Sequence, residues 1–100
     1  MITLTAILRA QAGAEDRVLA ALRRCAEDVR ADEPDTLGFF VSQDLSDPRL
    51  FTTYERFVDE AAMERHNAGA ASRRFFESAG ALLEEGSVTL VKAREVATRG

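Results

Sequence analysis

The architecture of this chain follows from residues 37–57, LGFFVSQDLSDPRLFTTYERF, which read as two strands joined by a tight turn. Residues 37–45 and 50–57 are rich in aromatic and β-branched side chains, which favour extended structure. The four residues between them, Ser-Asp-Pro-Arg, have the composition of a turn. Because so short a connection joins antiparallel neighbours, the stretch predicts a β-hairpin.

The segment before the hairpin predicts one strand and one helix. Residues 2–10, ITLTAILRA, alternate two sets of side chains in the manner of a strand, and residues 11–13 form a turn. Residues 14–31 carry apolar side chains at helical spacing, with charged side chains on the opposite face. This pattern predicts an amphipathic helix that ends before Pro34.

The segment after the hairpin predicts a helix in two pieces and a last strand. Asp59 has the side chain of a helix N-cap, and residues 67–69 interrupt the helix. A second helical piece is predicted at 71–84, and a strand at 87–96. The inward face of the second piece is predicted to hold Phe75, Phe76, Ala79, Leu82 and Leu83. The order β-α-β-β-α-β, with the second helix split, is that of a ferredoxin-like α+β fold.

The predicted sheet carries more apolar surface than one protomer can cover. In this fold both helices pack on one face of an antiparallel sheet, and the other face meets water. Here Ile7, Phe40 and Val91 fall on the opposite face from their apolar neighbours, so neither face is cleanly polar. Uncovered apolar surface is typical of an interaction site. We therefore predict a homodimer formed through the open face of the sheet.

Composition narrows the class of protein. One hundred residues suit a single domain over residues 1–100. The net charge is −4 and the basic residues are scattered, so no nucleic-acid partner is predicted. There is no apolar run of transmembrane length, and no leader segment is recognised, so no membrane association is predicted. A single cysteine, Cys25, fits a reducing compartment, and we predict a cytoplasmic protein.

Few residues have the chemistry of a metal or cofactor site. The only histidine is His66, and neither it nor Cys25 has a partner at metal-ligand spacing. No glycine-rich phosphate loop is present, so no metal and no cofactor are predicted. Cys25 lies on the apolar face of the first helix, where a buried structural thiol is expected. His66 lies at the end of the short helix, either as a cap of the last carbonyls or as a general base at a pocket.

Polar side chains alternate along the third strand. Tyr54 and Arg56 share one face, and Thr53 and Glu55 share the other. Either pair is able to line a cavity beneath the helices, and the alternation alone does not decide which one does. Phe75 belongs to the core or forms the wall of an apolar pocket.

The order of these features resembles the antibiotic biosynthesis monooxygenase family of dimeric α+β barrel proteins. The matching pieces are Leu37-Gly38-Phe39, Gln43-Asp44, Asp47-Pro48, Phe51, Tyr54-Glu55-Arg56-Phe57, Asp59-Glu60-Ala61 and His66. Residues 2–22 are also similar to the first strand and helix of that family. The resemblance implies a ferredoxin-like protomer, a homodimer in which two sheets pack together, and a pocket between sheet and helices.

The family that this chain resembles includes several chemistries. Members include cofactor-independent quinol and polyketide monooxygenases, haem-degrading enzymes and a branch that processes a quorum-sensing signal. Relatives often have a second histidine where this chain has Ala71, and a tryptophan where it has Phe57. The haem-degrading branch uses an asparagine where this chain has Ala6. These differences argue against haem.

Three functions follow from the resemblance. The first is a cofactor-independent monooxygenase that acts on a small electron-rich aromatic such as a quinol. Its catalytic residues are His66 as base and Tyr54 as hydrogen-bond donor, and the substrate-binding residues are Phe39, Arg56, Phe57 and Phe75. The second is an isomerase or signal-processing enzyme acting on a small hydroxycarbonyl compound, in which Arg56 clamps an anion. The third is a non-catalytic dimeric module that binds a small-molecule ligand.

Overall fold

The computed structural model describes all 100 residues, and its elements follow the predicted order. They are β1 (Ile2–Arg9), α1 (Glu15–Asp32), β2 (Thr36–Gln43), β3 (Leu50–Phe57), α2 (Glu60–Ala68), α3 (Ala70–Ala79), a 3₁₀ turn (Gly80–Leu82) and β4 (Thr89–Arg94). None of the helices has both the length and the apolar character needed to span a membrane.

One four-stranded antiparallel sheet forms a single layer, in the order β2-β3-β1-β4. The hairpin of β2 and β3 is present as predicted. β2 ends at Gln43, two residues earlier than predicted, because the Asp44 side chain accepts hydrogen bonds from the backbone N–H groups of Ser46 and Asp47 and so begins the turn. The ferredoxin-like α+β fold is confirmed.

The helices cover one face of this sheet. Val18, Leu22, Cys25 and Val29 of α1 recur at helical spacing and are all buried, as the amphipathic pattern predicted. They pack with the inward residues of the strands into one large apolar cluster, which includes the fully buried Phe51. Each fully buried aromatic or aliphatic side chain contributes roughly 1.5–3 kcal/mol relative to an exposed one.

The second helix is interrupted where the sequence predicts. The Asp59 side chain caps α2 by accepting a hydrogen bond of 2.8 Å from the backbone N–H of Ala62. α2 ends at Ala68 and α3 begins at Ala70, with Gly69 as the cap residue between them. A Cβ atom at this position would lie 2.9 Å from the carbonyl oxygen of Arg65, so the close approach of the two helices requires glycine. The interruption places His66 in the last turn of α2.

The end of α3 differs from the prediction. The helix stops at Ala79 and gives way to the 3₁₀ turn, because Leu83 leaves the helical path to form a bridge with Ala10 beside β1. Phe76 was predicted to face inward but is half exposed. Successive helical residues point about 100° apart, and the inward direction is taken by Phe75.

Two surfaces of the sheet lie uncovered. On the face away from the helices, Ile7, Phe40, Tyr54 and Val91 are all exposed. β4 is exposed on both faces, because no helix packs over it. The apolar excess that the sequence predicted is therefore concentrated on the open face and on β4.

Candidate active site

A cavity of about 260 Å³ lies between the sheet and α3. Its apolar walls come from Leu4, Ala6, Leu8, Leu22, Cys25, Phe39, Phe75, Phe76, Val88 and Leu90. Its polar lining comes from Thr53, Glu55, His66, Asn67 and Ser72. Two of its lining residues, Phe76 of α3 and Leu90 of β4, are half exposed. An apolar cavity with a few convergent polar groups is the usual form of a small-molecule site.

His66 is buried at the wall of this cavity, held between two aromatic rings and two carboxylates. Its ring centroid lies 5.6 Å from that of Phe39 and 5.4 Å from that of Phe57. Nδ1 lies 2.7 Å from Oε1 of Glu33, and Nε2 lies 3.1 Å from Oε1 of Glu55. The backbone carbonyl of His66 accepts hydrogen bonds from the N–H of Gly69 and from the hydroxyl of Ser72. These contacts fix both the ring and its backbone.

The carboxylate of Glu33 reaches His66 from the residue that follows α1. Its Oε1 also accepts a hydrogen bond of 2.8 Å from the hydroxyl of Thr36, which begins β2. Glu33 does not line the cavity. It lines a separate polar cleft on the other side of His66, together with Asp35 and Arg65, which form an ion pair there.

The carboxylate of Glu55 is buried on the helix-facing side of β3 and lines the cavity. Its Oε2 accepts a hydrogen bond of 2.7 Å from the hydroxyl of Thr53. Its Oε1 has no partner that meets hydrogen-bond geometry, and its nearest charged neighbour is Nε2 of His66, at an ion-pair distance of 3.1 Å. A buried carboxylate oxygen is costly to leave without a donor, so this atom is a natural acceptor for a ligand.

Burial and the two carboxylates act in opposite directions on His66. Burial by itself lowers the pKa of the ring, but Glu55 and Glu33 together outweigh it, and the pKa lies above the ordinary value of 6.5. The position of His66 in the last turn of α2 also favours the cation. The two carboxylates therefore favour the protonated form of the ring more than it is favoured in an exposed histidine.

Cys25 faces the same cavity but is inert. Burial raises the pKa of its thiol to about 12, and the neighbouring charges of Glu55 and Glu33 add to the shift. The Sγ atom lies 3.9 Å from the carbonyl oxygen of Ala71. The predicted buried thiol is confirmed, and it is too basic to act as a nucleophile at neutral pH.

The structure separates the predicted site residues into two groups. Phe39 and Phe75 line the cavity with His66, and Phe57 lies behind the histidine ring, fully buried. Tyr54 and Arg56 lie on the open face of the sheet, on the other side from His66, because strand alternation turns Glu55 inward and its neighbours outward. Tyr54, predicted as a catalytic hydrogen-bond donor, and Arg56, predicted to bind substrate, therefore do not line this cavity.

Arg56 has a partner of its own on the open face. Two hydrogen bonds of 2.9 Å join its guanidinium to the carboxylate of Glu95. The register places Arg56 beside Thr3 of β1, which is buried even though it belongs to the open face. Arg56 is thus paired with Glu95 on the open face and cannot bind an anion in the cavity.

The sequence did not single out Glu33 or assign a role to Glu55. The alternation of Phe51, Thr53, Glu55 and Phe57 on one face was a usable signal, since two polar residues lie between two core aromatics. Glu33 gave no such signal, because it is 33 positions from His66 along the chain and only the fold brings them together. No group of three or more His, Cys, Asp or Glu side chains converges on one point as metal ligands do. The two carboxylates contact different nitrogens of the ring.

Comparison with known proteins gives one consistent family. The profile described as antibiotic biosynthesis monooxygenase matches residues 1–78. A solved structure of an antibiotic biosynthesis monooxygenase is 28% identical, with a TM-score of 0.87 over 97% of this chain and 100% of that one. The structure of PA3566 from Pseudomonas aeruginosa is 30% identical, with a TM-score of 0.85 over 96% of this chain and 94% of the other.

More distant structures share the fold alone. A protein of Nitrosomonas europaea is 18% identical and has a TM-score of 0.88 over 97% of this chain and 100% of its own. No curated protein matches the chain.

Proposed function

Because this chain belongs to the antibiotic biosynthesis monooxygenase family, we propose that it is a monooxygenase that oxidises a small electron-rich phenol, such as a hydroquinone, in the cavity beside His66. The observation that carries the substrate class is Oε1 of Glu55, a buried acceptor without a hydrogen-bond donor in a mainly apolar cavity. A neutral aromatic with a hydroxyl group satisfies both features.

The size of the cavity supports a substrate of one or two fused rings. An apolar protein cavity of about 150 Å³ accommodates benzene. The cavity here is larger, at about 260 Å³, and Phe39 and Phe75 provide flat walls. A ring that stacks between such walls is excluded from water, which strengthens every polar contact made inside.

The chemistry begins with the phenolic proton. In the proposed complex the substrate hydroxyl donates a hydrogen bond to Oε1 of Glu55, which accepts the proton, and the His66 imidazolium stabilises the resulting phenolate. The sequence suggested His66 as the base. Its raised pKa favours the cation, so we assign the proton acceptor to Glu55 instead.

The phenolate then reacts with dioxygen. An electron-rich phenolate is able to pass electrons to O₂ directly. For a hydroquinone the balanced outcome is a hydroxyquinone and water: one oxygen atom enters the ring in place of hydrogen, and the other leaves as water. The substrate supplies all four electrons. The protein contributes an apolar pocket, a proton acceptor and a cation.

The two alternative functions have less support. The isomerase or signal-processing enzyme for a hydroxycarbonyl compound relies on Arg56 as an anion clamp, but Arg56 is on the other face and the cavity contains the Glu55 carboxylate. A non-catalytic module that binds a small-molecule ligand would use the same cavity and the same buried acceptor, but the family model that this chain matches is that of a monooxygenase. We also propose that the protein acts in the cytoplasm, in agreement with its single buried free thiol.

Oxygen consumption tests the proposal directly. We expect oxygen uptake with benzo- and naphthohydroquinones, and none with their dimethyl ethers, which lack the donor. Glu55→Gln keeps the size of the side chain but removes its basicity, so we expect kcat/KM to fall roughly 10²–10⁴-fold. Glu95→Gln is the matched control, because Glu95 pairs with Arg56 on the open face.

Two results would contradict the proposal. One is the absence of oxygen uptake with every hydroquinone tested. The other is a Glu55→Gln variant that is as active as the unmodified protein.

A further inference from the structure

The Glu33 carboxylate contacts His66 on the side away from the cavity, and we propose that Glu33 acts through His66 as a positioning residue. It holds the ring as an imidazolium, so that a cation remains beside the substrate oxygen after Glu55 has accepted the phenolic proton. This role rests on the proposed function for the identity of the substrate.

The geometry gives the two carboxylates different tasks. Glu55 lines the cavity and lies near Nε2, whereas Glu33 lines the outer cleft and lies 2.7 Å from Nδ1. Glu33 therefore does not touch the substrate. The hydroxyl of Thr36 donates to the same Oε1 atom, which fixes the carboxylate against the ring.

Charge balance explains why the cation is needed. In the proton transfer the phenolic O–H bond breaks, its electron pair stays on the phenol oxygen, and a new O–H bond forms at Oε1 of Glu55. No electron is transferred in this step. Before it, the imidazolium is paired with the Glu55 carboxylate, and after it with the phenolate. Without the cation, a phenolate alone would be buried in an apolar cavity at high cost.

The difference in proton affinity between a phenol and a glutamate shows how strongly the proton transfer depends on His66. In water a phenol binds its proton about 6 pKa units more tightly than a glutamate does. A cation next to the phenolate oxygen reduces this difference. Once Glu55 is protonated, its carboxyl group is neutral and no longer stabilises the positive charge of the His66 ring. Glu33 is then the only remaining carboxylate in contact with His66.

Other groups near the ring do not replace Glu33. Asp35 and Arg65 in the same cleft pair with each other and are more than half exposed. From α1, Cys25 faces the cavity as a neutral thiol, since burial raises its pKa to about 12. From α3, the hydroxyl of Ser72 donates to the backbone of His66 and not to its ring.

The test compares Glu33→Gln with Asp35→Asn. The amide at position 33 keeps the size of the side chain and an acceptor for Nδ1 but loses the charge, whereas Asp35 lines the same cleft without contacting His66. For Glu33→Gln we expect the alkaline limb of the kcat/KM profile to move to lower pH. We expect kcat at neutral pH to fall, because a smaller fraction of the variant then carries the imidazolium that stabilises the phenolate. KM should change little. Asp35→Asn should leave the pH dependence of kcat/KM unchanged.

Two further measurements do not depend on turnover. Nitrogen NMR should show the His66 ring of Glu33→Gln losing its proton at lower pH than in the unmodified protein. Anaerobic binding of 4-nitrophenol, followed by absorbance, should show a smaller nitrophenolate fraction in the variant. An unchanged His66 titration in Glu33→Gln overturns the positioning role, even where oxygen uptake confirms the proposed function. Conversely, shifted titration and nitrophenol ionisation without any oxygen uptake support the positioning role and reject the proposed function.

Discussion

His66 links the chemistry of the site to the stability of the fold. Its pKa is raised above 6.5 in the folded protein because Glu55 and Glu33 outweigh the effect of burial. The folded state therefore binds this proton more tightly than the unfolded state does. The resulting stabilisation is fully present below the unfolded pKa of 6.5 and is lost as the pH rises through the higher folded pKa.

This linkage predicts a pH-dependent melting temperature. We expect Tm to fall as the pH is raised from about 6 to about 9, and His66→Gln to remove that slope whatever its absolute stability. Circular dichroism melts at constant ionic strength provide the measurement. The same slope in both proteins would show that His66 is not the titrating group.

Individual site residues were predictable to different degrees. His66 stood out as the only histidine at a helix end, and Phe39 and Phe75 followed from apolar patterning. Alternation placed Tyr54 and Glu55 on opposite faces, but it did not indicate which face the helices cover. Side-chain identity alone favoured the tyrosine. The burial of Glu55 depends on where the fold places α2, whose His66 lies 3.1 Å from Oε1 of Glu55, and no local pattern contains that contact.

At the scale of elements, the junction between α2 and α3 controls the site. Gly69 has an ordinary φ of −82°, so the constraint is space and not backbone conformation. A Cβ atom there would lie 2.9 Å from the carbonyl oxygen of Arg65 and 3.3 Å from that of His66. Because these are backbone atoms of the preceding turn, they cannot move aside without displacing His66.

A pair of alanine substitutions tests this junction. We expect Gly69→Ala to destabilise the protein by about 1–3 kcal/mol, because the two helices must separate. Gly80→Ala is the matched control: it has a helical φ of −55° and no atom within 4 Å of the added Cβ. We expect it to be neutral or stabilising by about 0.4–1 kcal/mol. Urea denaturation measures both. Equal stability of the two variants would contradict the steric role of Gly69.

The ends of helices were predicted correctly where a local cap exists. They were predicted wrongly where tertiary contacts determine the end of the helix. The Asp59 cap and the break at Gly69 are local features, and both are confirmed. The predicted helix at 71–84 is shorter because Leu83 pairs with Ala10 across the fold. A pairing partner more than seventy positions away leaves no trace in the helical periodicity.

At the scale of the whole molecule, the ferredoxin-like order of strands and helices was predictable from the sequence pattern alone. Hairpin chemistry, amphipathic spacing and the split helix all agree with one topology, and such agreement between levels specifies a fold. The sequence of a single chain does not indicate what covers the open face of the sheet. The register places Phe40, Tyr54, Thr5 and Val91 side by side across all four strands, which creates a continuous apolar row.

This row leads to the proposal that two copies pair face to face through their sheets. Phe40 is the most exposed of its apolar residues, at 58%, and its ring lies beside that of Tyr54, with centroids 6.3 Å apart.

We expect light scattering at micromolar concentration to give twice the 11.0 kDa of one chain. A charge in the middle of an apolar interface is costly, so we expect Phe40→Glu to be a folded monomer. Leu45→Glu is the control, because Leu45 is fully exposed outside the sheet. A monomeric unmodified protein, or a Phe40→Glu variant that remains dimeric, would exclude this interface.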